Sequence, residues 1–326
     1  MRRFQPIALL FIFIIRSQFI TAQVTDNTSS FRNTNSNQYI RLHYDNDFFT
    51  KSDEYYTQGI TLEYANPALQ HFLFSKLLFK PKNSEYKYGI ALQDFGYTPT
   101  SIASDSILYG DRPFCGNLAL STFLIATDAL QKKRIAVTFT AGLMGQGAGG
   151  EEMQTDIHRW LKNPIPHGWQ YQIRNDIILT YEINYEKKLL SYRNYFLLNA
   201  AANLKAGTQT DRLKAGFNFM AGKFNDPYET MGKTRSSRKK IRYYLYGQLQ
   251  PAVTLYDATL QGGLFNRSSP YTIPASDVNR LTLQGDYGIV VSFRKIFLEY
   301  TQSILTREFE TGHYHRWGGF RIGLDF

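Results

Sequence analysis

The sequence predicts an all-β chain: a single transmembrane antiparallel β-barrel of about 12 strands, with a short helix in its third extracellular loop. Three observations predict it. After residue 37 apolar and polar residues alternate with period two in about twelve segments, each near the 9–11 residues a tilted spanning strand needs. Tyr (23) and Phe (24) cluster near the segment ends, as interfacial aromatic girdles do. The chain also ends in an alternating segment, RWGGFRIGLDF, closed by Phe326.

In chain order, Arg2 and Arg3 precede an apolar run over residues 6–15, and Thr21-Ala22 stands before Gln23, which reads as a signal peptide over 1–22. The run is too short to span a bilayer and Arg16 ends it. Residues 23–37 are polar and expected to be mobile, leaving 38–326 for the barrel. Tyr39, Arg41, His43 and Asp45 alternate with Ile40, Leu42 and Tyr44; Ile60, Leu62 and Tyr64 alternate with Thr61 and Glu63. The habit repeats near 86–93, 115–126, 135–140, 174–187, 193–207, 212–223, 241–254, 281–293, 296–305 and 316–326. Small or polar residues hold the second face, as a barrel lumen requires. A terminal aromatic on the last strand resembles the assembly signal of bacterial outer-membrane barrels, so the expected location is that membrane, with a monomer as the expected state.

Composition removes other classes. Lys and Arg number 37 against 27 Asp and Glu, and without residues 1–22 the count is 34 against 27, an excess too modest to suggest nucleic acid. Cys115 is the only cysteine, which excludes a disulfide framework and a cysteine zinc site. No uncharged apolar run of about 18 residues occurs, which excludes a helical membrane bundle.

With the N-terminus periplasmic, the outward connections are about 48–57, 97–114, 145–173, 208–211, 255–280 and 306–315. Two inward turns are long. Residues 67–85 read as a short amphipathic helix at the inner interface, and the basic stretch 224–240 as solvated. Four polar clusters meet at the outward rim: Asp45-Asn46-Asp47, Tyr55-Tyr56-Thr57-Gln58-Gly59, Gly110-Asp111-Arg112-Pro113 and the loop 145–169. In that loop residues 151–161 read as a helix, with Gln154 and His158 on one face.

Each cluster alone also suits a structural role: the Asp-Asn-Asp triplet as turn chemistry, His158 beside Trp160 as packing. Together they are parts of an ester-cleaving site. A positioned His takes a proton from water near its own pKa, and carboxylate and amide oxygens suit a hard cation that polarises a carbonyl. No G-x-S-x-G elbow supports a serine hydrolase.

At these residues the sequence resembles the outer-membrane lipid A 3'-O-deacylase family. The resemblance is carried by Asn46-Asp47, by Tyr56-Thr57-Gln58-Gly59, by Gly110-Asp111-Arg112 and, most specifically, by Gly149, Gly150, Glu152, Gln154, His158 and Arg159. It implies a twelve-stranded barrel that hydrolyses the 3'-linked acyl or acyloxyacyl ester of lipopolysaccharide. By the same resemblance His158 is the base that activates water, and Asn46, Asp47 and Thr57 complete the catalytic set. Calcium is implied as cofactor, held by Asp47, Asn46 and Glu152. The lipid A phosphates would meet Arg112, Arg159 and Lys162. The chain departs from the family where a Glu follows the histidine helix; Lys162-Asn163-Pro164-Ile165-Pro166 stands there instead. The competing reading is a non-catalytic barrel, either a pore or a lipopolysaccharide-binding protein.

Overall fold

A computed structural model describes residues 36–50, 55–229 and 241–326. The expected signal peptide, most of the segment 23–37 and the basic residues from Lys233 to Lys240 lie outside the described residues. The strands are β1 (Tyr39–Asn46), β2 (Tyr55–Ala65), β3 (Glu85–Thr98), β4 (Cys115–Asp128), β5 (Lys133–Met144) and β6 (Asp176–Tyr192). They continue as β7 (Phe196–Gly207), β8 (Thr210–Lys223), β9 (Arg242–Asp257), β10 (Leu281–Phe293), β11 (Ile296–Leu305) and β12 (His315–Asp325). Every strand pairs antiparallel with its sequence neighbour, and β1 closes on β12 from Tyr39↔Asp325 to Asn46↔Gly318. Closure leaves no edge, the condition for placing a sheet in lipid. Among the described residues no helix is long and apolar enough to cross a membrane.

The alternation resolves as expected. Ile40, Leu42, Leu62, Leu298, Ile322 and Leu324 stand exposed on the outer wall, while Arg41, His43, Glu63, Glu299 and Arg321 are buried inside. Several inner residues pair with one another. His43 Nε2 lies 3.1 Å from Glu63, whose other oxygen accepts from Tyr39; Arg321 reaches Asp45 at 3.3 Å and Glu299 at 3.4 Å; Lys214 donates to Gln284 at 2.7 Å. Burial of these groups means that side chains fill the middle of the barrel, which argues against an open pore.

The first long inward turn differs from expectation, and of the second only residues 224–229 are described. Residues 67–85 form two short 3-10 helices, Pro67–His71 and Leu73–Leu77, instead of one amphipathic helix, because the extended Phe72 interrupts the run. They lie against the outer wall: Ser75 bonds Thr122 at 3.1 Å, Tyr181 donates to Leu77 O at 3.2 Å, and Leu78, Leu124 and Val137 are buried beneath. The start of the 224–240 turn is not simply solvated. Phe224 and Tyr228 are buried in a cluster with Leu197 and Tyr246, Tyr228 donates to Asn199 at 2.9 Å, and Arg134 donates to Pro227 O at 2.8 Å. Residues 224–228 thus tuck into the barrel floor, where Phe224 and Tyr228 offer the lumen an apolar stopper.

Candidate active site at the long-loop rim

The site begins where β1 hands over to β2. Asn46 ends β1, and its Nδ2 donates to the Thr57 carbonyl at 2.7 Å, tying the two strand ends. Asp47, buried, starts a 3-10 turn (Asp47–Thr50) whose Thr50 hydroxyl donates back to Asp47 O at 2.8 Å. On β2 the pairing with β3 runs Tyr56↔Tyr97 and then Gln58↔Gly96, so Thr57 is the extra residue of a β-bulge. A bulge re-aims the side chain it carries, and here it carries Thr57. Tyr55 enters the strand at φ 68°, a left-handed conformation costing a bulky residue about 1–2 kcal/mol. Stacking on His315 (5.6 Å between ring centres) and an edge contact with Phe309 hold it there.

The third long loop supplies the rest. Helix α1 (Gly150–Leu161) starts against the end of β4: a Cβ on Gly150 would stand 3.0 Å from Gly116 Cα and 2.9 Å from the Trp169 ring, so only glycine permits this approach. Spacing of four residues puts Gln154 and His158 on one face, and both are buried while Arg159 and Trp160 face out. Trp169 N–H donates to Gln154 Oε1 at 2.7 Å, and because an indole only donates, this fixes the amide with Nε2 toward Thr57 Oγ1 at 3.3 Å. A relay therefore runs Trp169, Gln154, Thr57.

The helix ends in a Schellman turn. Asn163 N–H bonds His158 O at 2.9 Å, Lys162 N–H bonds Arg159 O at 3.4 Å, and Lys162 takes the left-handed place usually given to glycine, at φ 58°. The reversal brings Pro164 back over the helix, its carbonyl 2.6 Å from His158 Nδ1. A carbonyl can only accept, so Nδ1 carries the proton and Nε2 is left as the basic nitrogen.

The structure thus brings together Asn46, Asp47 and Thr57 on the strand ends, and sets His158 on the helix face that reaches Thr57 through Gln154. Other expected residues it places elsewhere. Arg112 does not present itself to a phosphate: it is fully buried, paired with Glu308, donating to Thr259 Oγ1 at 2.7 Å and stacked 3.9 Å over Tyr97. Burial pushes the Glu308 carboxyl up to about 7, outweighing the guanidinium beside it. Glu152 is exposed, two residues and over half a helical turn from Gln154, so the helix directs it away from the buried face. Arg159 is exposed and pairs with Asp156 at 2.6 Å; Lys162 is exposed. Gln154 had a visible signal in its spacing from His158. Trp169 and Glu308 had none, since their partners depend on loop folding and on a contact 196 residues apart.

As to a metal, the described residues contain no group of three His, Cys, Asp or Glu able to hold one. Where β1 meets β2 the oxygen donors are the buried Asp47 carboxylate and the amide of Asn46, while the buried Asp45 pairs with Arg321. These oxygen donors suit a hard cation in type but fall short of the six to eight ligands calcium takes, so water or substrate must supply the remainder.

The family model described as outer membrane protein LpxR matches residues 7–326. Among solved structures, LpxR from Salmonella typhimurium aligns with a TM-score of 0.71 at 17% identity, covering 88% of this chain and all of that one. The β domain of the Bordetella autotransporter Brka aligns with a TM-score of 0.43 at 7% identity, over 88% and 97% of the two chains. Among curated proteins none matches. The Salmonella likeness establishes the barrel, and the family match runs through every strand and loop described above. The chain therefore belongs to the LpxR family of bacterial outer-membrane proteins, the lipid A 3'-O-deacylase family that its rim motifs resemble.

Proposed function

We propose that this protein hydrolyses the 3'-linked acyl or acyloxyacyl ester of lipid A, with His158 as the base that activates water. The observation that carries the reading is the contact of His158 Nδ1 with the Pro164 carbonyl, which assigns the ring proton to Nδ1 and leaves Nε2 to accept one. This carbonyl takes the orienting role for which the sequence offers no carboxylate after α1. The proton removed from water goes to Nε2, hydroxide adds to the ester carbonyl, and the imidazolium returns the proton to the leaving alkoxide. Asn46 and Thr57 line the place where the oxyanion forms, with Thr57 aimed by its bulge and by Gln154. Asp47 with the Asn46 amide is the part of the rim suited to calcium, which when bound would polarise the ester carbonyl. Exposed Arg159 and Lys162 flank the site and suit the phosphates of lipid A.

The rim bears the long connections, the side that faces outward in such barrels, where lipid A occupies the outer leaflet. The filled lumen disfavours the pore reading. Purified protein in detergent is expected to free acyl chains from lipopolysaccharide and to stop when a calcium chelator is added. Release unaffected by the chelator would remove calcium from the account and leave the His158 base; no release under either condition would favour the binding reading.

A further inference from the structure

A second site stands on the same rim, away from His158. A cavity of about 480 Å3 opens between the connections 99–114, 262–280 and 306–314, within the roughly 300–1,000 Å3 typical of small-molecule sites. Its wall carries an aromatic pair. Tyr109 is 81% exposed and meets Tyr271 edge to face, ring centres 5.5 Å apart at 83°. An aromatic ring so exposed on an ordered loop offers a flat apolar face to whatever enters.

The wall is rigid before anything binds. Tyr271 Oη accepts from Gly110 N and donates to Asp111 O, both at 2.8 Å, and Thr311 donates to Gly110 O. Gly110 holds φ 83°, a conformation that favours glycine, and so fixes the turn that carries Tyr109. Opposite stands Asp277, half-buried, with one carboxylate oxygen accepting from Ser276 at 2.7 Å and its backbone held by Glu310 N–H at 2.8 Å. Among the described residues no Lys or Arg lines the cavity, and Asp277 is the one carboxylate there.

That chemistry selects a ligand. An anion would meet no cation and one carboxylate, so phosphate and acidic sugars are disfavoured. An acyl chain would bury the other Asp277 carboxylate oxygen, which Ser276 does not reach, without supplying a donor. A neutral pyranose satisfies both walls: its C–H face lies on the Tyr109 ring, and its hydroxyls donate to Asp277. We propose that this cavity binds a neutral sugar of the saccharide attached to the lipid A whose ester is cut. The inference rests on the lipid A reading for the identity of the saccharide. Tyr271 links the two sites, since it bonds Asp111, and Arg112 to Phe114 follow on to the ring contact between Phe114 and Trp169 (4.9 Å), the residue that orients Gln154.

The test uses the full-length protein in detergent micelles, with the oligosaccharide freed from lipopolysaccharide by mild acid as probe and saturation-transfer NMR as readout. Wild type is expected to bind it, and Tyr109→Ala and Asp277→Asn to weaken binding about tenfold each. Deacylation kinetics supply a second arm: Tyr109→Ala should raise KM on complete lipopolysaccharide with kcat unchanged, and leave both constants unchanged on lipid A stripped of its neutral sugars. Tyr109 is exposed and bonds nothing through its hydroxyl in the cavity wall, so its loss is not expected to unfold the barrel; heat-modifiable gel migration checks this. No oligosaccharide signal from wild type, or equal signals from wild type and both variants, would overturn the proposal even if the enzyme is active. Binding lost in the variants of a protein that frees no acyl chain would sustain the sugar site and remove the deacylase.

Discussion

His158 Nδ1 stands 2.6 Å from the carbonyl oxygen of Pro164, a backbone group six residues on that no substitution of side chains can erase. Orientation of the His158 imidazole is thereby built into the Schellman turn that ends α1. His158→Gln is expected to lower kcat by roughly 10²–10⁴, the range for loss of a general base, with barrel folding intact. Pro164→Ala keeps the carbonyl and should cost far less; kcat of the two variants side by side checks the pair.

The turn itself is strained at Lys162, which holds a left-handed conformation without being glycine. Lys162→Gly is expected to stabilise the loop by about 1 kcal/mol by removing the Cβ clash. If the ammonium also meets a lipid A phosphate, KM rises several-fold while kcat holds. Proteolysis of the loop and steady-state kinetics read the two effects separately.

Trp169→Phe tests the relay to Thr57. It removes the one N–H that fixes the Gln154 amide and leaves a buried acceptor unpaired, at about 1–3 kcal/mol. The expected result is a lower kcat with KM little changed. An unchanged kcat would show that Gln154 holds Thr57 without help.

The Arg112–Glu308 pair ties two outward connections together beneath the rim. Arg112→Ala should loosen both connections, because it removes the guanidinium's bond to Thr259 and its packing on Tyr97 and leaves Glu308 buried as the neutral acid. The pH dependence has a definite sign. The folded state holds the Glu308 proton more tightly than the unfolded chain, at about 7 against 4.5, so its contribution is present in full below 4.5 and lost as pH rises through 7. Amide exchange at residues 110–114, corrected for intrinsic rates, should therefore speed up across that window, and Glu308→Gln should abolish the trend.

The barrel was legible because period two is a local property: twelve alternating segments and twelve strands agree within a few residues, and the helix expected over 151–161 forms over Gly150–Leu161. The strand-end residues Asn46, Asp47 and Thr57 were legible for the same reason, since antiparallel register brings the ends of β1 and β2 to one rim. What failed to show was burial of loop residues. Arg112 looks like a surface cation in sequence, and only the arrival of Glu308 from the last long loop turns it into an anchor. The bulge at Thr57, the 3-10 turns on the outer wall and the aromatic stopper at Tyr228 likewise arise from tertiary contacts that no window of sequence contains.

The most direct test of the central claim is mass spectrometry of lipid A from cells making this protein, set against cells making His158→Ala at the same outer-membrane level. Loss of one acyl or acyloxyacyl unit with the wild type alone is the predicted result. Identical lipid A from both, with both proteins folded in the outer membrane, would contradict the claim that His158 cuts the 3'-linked ester.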